Sequence, residues 1–228
     1  MNTRKLLRLA ALPLFAILAA GCSTAPPTID TSEGAVATFD GLYPVLNSRA
    51  DAAWAAPGMD LSGYTKIMLR GEGIEYRPGG ESGRTMMARS NASHYEVTEA
   101  QRERLLATVR EAFLKELGKS TRFTLVDEPG PDVLMIRGAL LDVVSFVPPD
   151  TVGRTEVFLS SVGEATLVLE IRDSITHAIF ARAVDRDAAE AMSGTLQRSN
   201  RPMNTSEVRQ MVQRWARSLR EALEGFTG

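Results

Sequence analysis

Carboxylate side chains are the first candidates for chemistry in this 228-residue sequence. Six of them lie on or near predicted strands, and these are Asp142, Glu164, Glu170, Asp173, Asp185 and Asp187. Two facing acids can protonate a leaving group and activate water, as in glycoside hydrolysis. Solvated charges on a sheet face and caps of turns explain the same residues more simply, because a catalytic acid needs a pocket that shifts its pKa. A hydrolase is therefore the weaker hypothesis, and we expect no enzyme and assign no catalytic residue.

Other chemical motifs are absent from the sequence. His94 and His177 are the two histidines, and neither has a second ligand at metal-binding spacing. Gly71-Glu72-Gly73 lacks a third glycine and a following helix, and there is no Gly-x-Ser-x-Gly elbow. We therefore predict no metal, no cofactor and no nucleotide site.

Cys22 is the single cysteine, and it closes a segment built like a secretory signal. Arg4, Lys5 and Arg8 precede the apolar run 9–20, which is interrupted by Pro13 and is shorter than the roughly 20 residues of a membrane span. Its ending, Leu18-Ala19-Ala20-Gly21-Cys22, resembles the lipobox of bacterial lipoproteins. This resemblance implies a signal peptide over 1–21, a lipid on Cys22 and, from Ser23, the periplasmic face of the outer membrane. The alternatives are an ordinary signal peptide ending in Ala-Gly, or a buried thiol.

The charge balance limits the partners of the mature chain. Residues 1–21 hold three of the 26 Lys and Arg and none of the 28 Asp and Glu, so their removal leaves a net charge of −5. A mildly acidic body is not attracted to nucleic acid or to anionic head groups. We therefore expect no nucleic-acid partner and a membrane contact through the lipid. The stretch 22–38 is rich in Thr, Pro, Ser and Ala, which predicts a flexible tether.

Two long connectors are the candidate interaction loops. Residues 78–89 are glycine-rich and carry Met86, Met87 and Arg89, and residues 188–203 carry Arg198 and Arg201. Exposed methionine beside arginine is typical of adaptable contact surfaces. We therefore predict a binding or accessory module with an envelope protein as partner. Two alternatives are disordered loops without a partner and a carrier for a small or lipidic ligand held between sheet and helices.

The periodicity of the remaining sequence predicts one α+β domain over 39–228. Apolar faces at helical spacing predict two amphipathic helices, over 98–117 and from Asn204 or Thr205 to Glu224. Strands are predicted at 64–70, 73–77, 123–126, 132–144, 164–172 and 178–184, the last two as a hairpin. Residues 39–58 mix aromatic residues with Pro and Gly and predict an irregular wrap. The expected architecture is a sheet of about five strands, mainly antiparallel, with both helices on one face. Parallel pairing of the first strand with the central strand would make the sheet mixed.

Four segments together resemble a known but uncharacterised family. They are Phe39-Asp40-Gly41-Leu42, the region from Trp54 to Tyr64, Pro131-Asp132-Val133-Leu134 and Asp173-Ser174-Ile175-Thr176. These segments look like a Gram-negative lipoprotein family classed as a domain of unknown function. The resemblance covers the mature body and implies no activity, so no catalytic residue is transferred.

Overall fold

The computed structural model describes residues 25–77, 95–148, 156–190 and 196–226. These residues form ten strands and two helices. The strands are β1 (Thr28–Ile29), β2 (Tyr43–Leu46), β3 (Ala52–Ala55), β4 (Lys66–Tyr76), β5 (Thr124–Leu125), β6 (Val133–Ser145), β7 (Phe158–Leu159), β8 (Ser161–Asp173), β9 (Ile179–Glu190) and β10 (Gln197–Arg198). The helices are α1 (Glu99–Leu117) and α2 (Arg201–Gly225).

The main sheet has eight strands in the described residues, in the order β1-β2-β3-β9-β8-β6-β4-β5. β4 runs parallel to β6 and to β5, and the other neighbours are antiparallel. The α+β class is confirmed and the sheet is mixed, but the prediction of about five mainly antiparallel strands is wrong. The additional strands are short ones at the edges, including β2 and β3 within the segment predicted as an irregular wrap.

The central elements form where the sequence is periodic. Thr98 is the N-cap of α1, and its backbone N–H donates to Gln101 Oε1 at 2.7 Å, as the capping-box pattern predicts. β8 and β9 form the expected hairpin, but β9 continues to Glu190. The predicted pair of strands over 64–77 is one strand, β4, with a register shift between Gly71 and Gly73. A shift of this kind marks a bulge, which a glycine accommodates readily.

One core joins both helices to a single face of the sheet. Trp215 and Val212 of α2 are buried with Phe113 of α1 against Leu134 and Leu167 of the central strands. Side chains alternate along a strand, so Leu134, Ile136 and Leu140 of β6 point to the same side. The prediction that both helices pack on one face therefore agrees with the shared core.

Neither α1 nor α2 covers the opposite face, which we call the helix-free face. Trp54, Arg182, Glu170 and Arg137 lie directly across from one another on β3, β9, β8 and β6. Glu170 Oε1 accepts from Arg182 Nε at 3.0 Å, and Asp40 also pairs with Arg182. Because the cations and anions of this row are paired, the charges hold the strands together and add little net charge to the face.

The N-terminal segment is attached to the sheet earlier than predicted. Thr28 and Ile29 pair with Leu46 and Val45, within the stretch 22–38 that the composition predicts to be a tether. Asn47 Nδ2 also donates to the carbonyl oxygen of Pro26 at 3.4 Å. The chain therefore contacts the folded body from Pro26 onward, within the predicted tether.

Candidate functional site

A groove of about 1200 Å³ lies between the helices and one end of the sheet. The N-terminal halves of α1 and α2 form its two walls, and the ends of β6 and β8 form its floor. We call this space the helix–sheet groove. It is larger than the roughly 300–1,000 Å³ of a typical small-molecule pocket and open to solvent, which suits an extended guest.

The groove has an apolar floor and a charged rim. Leu140, Val144, Val162 and Met211 are buried side chains that line it. The rim in the described residues carries four arginines and four glutamates, namely Arg104, Arg198, Arg201, Arg209, Glu96, Glu111, Glu156 and Glu164. An apolar centre with a polar rim is the general anatomy of a protein-binding surface.

Two of the predicted interaction residues meet at this groove. Arg198 lies in β10 and pairs with Glu156 at 3.2 Å, and Arg201 is the first residue of α2. The connector 188–203 is not one long loop, because its first residues extend β9 and its last residues begin α2. Cys22, Met86, Met87 and Arg89 lie outside the described residues.

The start of α2 places Arg201 at the rim. Asn200 is the N-cap and its Oδ1 accepts from the backbone N–H of Met203 at 3.0 Å. Pro202 occupies the first turn, where its missing N–H costs nothing. Asn200 followed by Pro202 is a sequence signal for a helix that begins at residue 201. The apolar periodicity of α2 begins only at Val208, and it therefore favoured a predicted start at Asn204 or Thr205.

Tyr76 brings an unsatisfied hydroxyl to the groove. Its side-chain oxygen is buried and has no hydrogen-bond partner among the protein atoms of the described residues. Burial raises the pKa of Tyr76, and the Arg102 guanidinium lies over its ring at 4.7 Å from the centroid. A buried hydroxyl without a partner is costly, so a polar group entering the groove would gain a ready donor.

The six candidate acids do not form a reactive pair. Asp142 and Glu164 contact Arg77 and Arg186, Asp187 contacts Arg214, and Glu170 contacts Arg172 and Arg182. Burial alone would raise the pKa of Glu170, but the hydrogen bonds from its two arginines lower it. These contacts favour a structural role for the carboxylates.

The two remaining acids, Asp173 and Asp185, differ in their surroundings. Hydrogen bonds from the Thr176 backbone and the Tyr64 hydroxyl lower the pKa of Asp173 to about 2. Burial raises the pKa of Asp185, whose Oδ1 accepts from the backbone N–H of Asp51 at 3.2 Å. Neither residue lines the helix–sheet groove in the described part of the chain.

Two further features concern metal binding and membrane-spanning helices. Within residues 25–77, 95–148, 156–190 and 196–226, no group of three or more His, Cys, Asp or Glu side chains is arranged to bind a metal ion. Of the helices in those ranges, none combines the length and apolarity that a bilayer span requires.

Sequence comparison gives the family. The chain belongs to DUF3313, a family of proteins of unknown function, whose profile matches residues 31–219. This agrees with the resemblance to an uncharacterised domain, although the family description mentions neither a lipid nor a bacterial group. No curated protein matches the sequence significantly.

Several solved structures are similar to parts of this chain at low identity. Protein XCC0632 from Xanthomonas campestris, a DUF330 protein, is 10% identical with a TM-score of 0.38, over 73% of this chain and 86% of that one. A PelC dodecamer from Paraburkholderia phytofirmans is 11% identical with a TM-score of 0.36, over 74% and 94%. A putative neuraminyllactose-binding hemagglutinin homolog from Helicobacter pylori is 8% identical with a TM-score of 0.32, over 71% and 81%. At these identities and TM-scores, neither the assembly nor the ligand named for those proteins can be inferred for this chain.

Proposed function

We propose that this member of the DUF3313 family is a lipid-anchored envelope protein that binds a segment of another envelope protein in its helix–sheet groove. The observation that carries the proposal is the groove itself, with its apolar floor, charged rim and buried Tyr76 hydroxyl. An extended polypeptide presents apolar side chains for the floor and backbone carbonyls for a hydroxyl donor. The lipid on Cys22 would hold this surface on the periplasmic side of the outer membrane.

The groove favours a polypeptide over a lipid chain for two reasons. Four arginines and four glutamates at the rim match a guest with charges of both signs, whereas an acyl chain has none. The groove is also open to solvent, which would leave much of an acyl chain in water. The ion pairs that Asp142, Glu164, Glu170 and Asp187 form with arginines support a structural use of these acids, which fits a binding protein better than a hydrolase.

The anchor is tested by Cys22→Ser. The thiol receives the diacylglyceryl group, so the hydroxyl variant should not incorporate a labelled fatty acid and should leave the outer-membrane fraction. Two or more acyl chains hold a protein on a bilayer strongly, so the loss from the membrane should be nearly complete. An unchanged distribution between membrane and periplasm would refute the anchor.

The groove is tested by charge reversal on α1. Arg104 lines the groove, whereas Arg110 lies on the same helix, is also exposed and does not line it. Arg104→Glu should weaken recovery of the partner about tenfold or more after crosslinking in intact cells, since it places a like charge beside Glu111 and Glu96 on the rim. Arg110→Glu is the matched control and should retain the partner. Equal recovery from both variants would contradict the groove as the binding site.

The second candidate is a carrier of a lipidic ligand, which the buried apolar floor favours. Native mass spectrometry of the protein extracted from membranes distinguishes the two. A carrier would retain a lipid of defined mass that Val162→Glu, a charge on the floor, removes. A protein-binding module would show no such stoichiometric lipid.

A further inference from the structure

The point at which the chain joins the folded body limits how far the body can lie from Cys22. From Pro26 onward, hydrogen bonds attach the N-terminal segment to β2. Asn47 Nδ2 donates to Pro26 O at 3.4 Å, and Asp30 N donates to Pro44 O at 2.8 Å. β1 pairs with β2 between these two contacts.

The reach of the free chain follows from backbone dimensions. Four residue steps separate Cys22 from Pro26, and a fully extended chain covers at most about 14 Å over that length. A free tether over all of 22–38 would instead have allowed about 55 Å. A lipid on Cys22 would therefore keep the β1–β2 edge of the sheet within one short chain segment of the bilayer interface.

Three exposed apolar side chains lie in β2 or in the segment that joins β1 to β2. Phe39 is 96% exposed, Val36 is 80% exposed and Leu46 is 50% exposed. Leu46 lies directly across from Thr28 of β1, and Val36 and Phe39 belong to the segment that joins β1 to β2. Single exposed apolar residues are common, but three beside the entry of an anchored chain mark a contact surface.

Phe39 and Leu46 also lie on the same side of the sheet. Pro44 is directly across from Trp54, and Trp54 is directly across from Arg182, so these three share the helix-free face. Leu46 is two residues from Pro44 and shares its side. The Phe39 ring lies over the Arg182 guanidinium, with 5.8 Å between the centroid and Cζ. The two side chains therefore both lie on the helix-free face, on the β1–β2 side of the sheet.

We infer that Val36, Phe39 and Leu46 form a membrane-contact surface that rests on the lipid bilayer beside the anchor. This inference depends on the proposed lipid on Cys22 and adds an orientation to it. An acyl chain and nearby aromatic and aliphatic side chains reinforce each other at an interface, because membrane binding strengthens with the apolar area that is buried.

The charges around this surface predict an apolar contact rather than an electrostatic one. Asp30 and Glu33 are the nearby acids, and the nearby cations have partners, since Arg182 pairs with Asp40 and Glu170, and Arg49 pairs with Glu221. A surface without unpaired cations gains nothing from anionic lipids. The contact should therefore form on phosphatidylethanolamine vesicles and persist at high salt.

Nitroxide labels on the full lipidated protein test the inference. Cys22 is the only cysteine, so once it is acylated a single introduced cysteine carries the only thiol. The variants are Val36→Cys, Phe39→Cys and Leu46→Cys, reconstituted in phosphatidylethanolamine vesicles. Leu106→Cys is the matched control, because Leu106 is 49% exposed and lies on α1, on the other side of the sheet. The measured quantities are two collision rates of each nitroxide label. One is the rate with oxygen, which concentrates in lipid, and the other is the rate with a water-soluble nickel chelate.

The labels at 36, 39 and 46 should show an oxygen-to-nickel collision ratio severalfold above that of the label at 106. Mass spectrometry of the N-terminal peptide is done on the same samples. A lipidated Cys22 with equal ratios at all four positions would overturn the membrane-contact surface and leave the anchor intact. A Cys22 without lipid would overturn both.

Discussion

The side chain of Asp173 organises the turn between β8 and β9. Its Oδ1 accepts from the backbone N–H groups of Ile175 and Thr176 at 2.9 and 2.6 Å, and its Oδ2 accepts from Tyr64 at 2.7 Å. These bonds lower the pKa of Asp173 to about 2, and burial first, then the same carboxylate, raises the pKa of Tyr64 to about 12. The Asp-Ser-Ile-Thr segment that carried the family resemblance is thus a structural turn.

The depressed pKa makes the stability of the fold depend on pH. The carboxylate ionises at about pH 3.8 in the unfolded chain, so its contribution is present above that pH and is lost as the pH falls towards 2. Tyr64→Phe removes one of the bonds to this charge and should reduce the free energy of unfolding by about 1–2 kcal/mol at pH 7. The deficit should shrink as the pH falls towards 2, because Asp173 becomes protonated in the native protein only near that pH and the bond from Tyr64 then weakens. Urea unfolding at pH 7 and pH 2 measures both values.

Tyr43→Phe is the control for this measurement. Tyr43 is half-buried, and its hydroxyl has no hydrogen bond to the described residues. Its loss should change the free energy of unfolding by less than about 0.5 kcal/mol at either pH. A Tyr64→Phe deficit that is the same at pH 7 and pH 2 would contradict the role given to Asp173.

Long periodic elements could be predicted from the sequence, and short ones could not. α1, β6, β8 and α2 each have enough residues for an apolar period to appear, and each lies close to its predicted position. β5 lies within the strand predicted over 123–126, but β1, β7 and β10 have two residues each, which is too short for any alternation. Their pairing depends on the strands beside them, and this tertiary context also made the predicted tether too long and the strand number too small.

The helix–sheet groove could not be predicted either, because it too depends on how distant elements pack together. Val144 lies in a predicted strand and Met211 on a predicted apolar helix face, as ordinary core residues do, and only the arrangement of α1 and α2 leaves them beside an open space. Arg198 and Arg201 could be identified because they sit in a polar connector. Their position at a common rim required β10 and the N-terminus of α2.

Gly163 allows β8 to approach β6 closely at the floor of the groove. A Cβ at Gly163 would overlap the carbonyl oxygen of Val144, which is backbone and cannot move aside easily. Gly163→Ala should therefore reduce the free energy of unfolding by about 1–3 kcal/mol, since the strands must separate locally. Gly71 is a strand glycine with no atom within 4 Å of an added Cβ, and Gly71→Ala should be neutral or stabilising. Thermal unfolding measures the melting temperatures of both variants. Equal melting temperatures would contradict the close approach of β8 to β6 at Gly163.

The whole molecule has two functional sides under this account. The helix–sheet groove lies on the helix side of the sheet, and Phe39 and Leu46 lie on the helix-free face beside the attachment of the N-terminal chain. A protein held at the bilayer by the second side would present the groove to the periplasm. With a lipid on Cys22, the at most about 14 Å between Cys22 and Pro26 would make this orientation specific, because a body so close to the bilayer could not tumble freely.

Site-specific photo-crosslinking in intact cells tests whether a partner binds in the helix–sheet groove. A photoreactive amino acid replaces Arg201 at the groove rim, and in a matched variant it replaces Arg217, which is exposed on α2 away from the groove. A photoreactive residue at position 201 should crosslink to one discrete envelope protein, and adding Val162→Glu should abolish this crosslinked product. The same photoreactive residue at position 217 should give no such product. The same product from both positions, or none from position 201 in a chain that is folded and lipidated, would contradict binding in the groove.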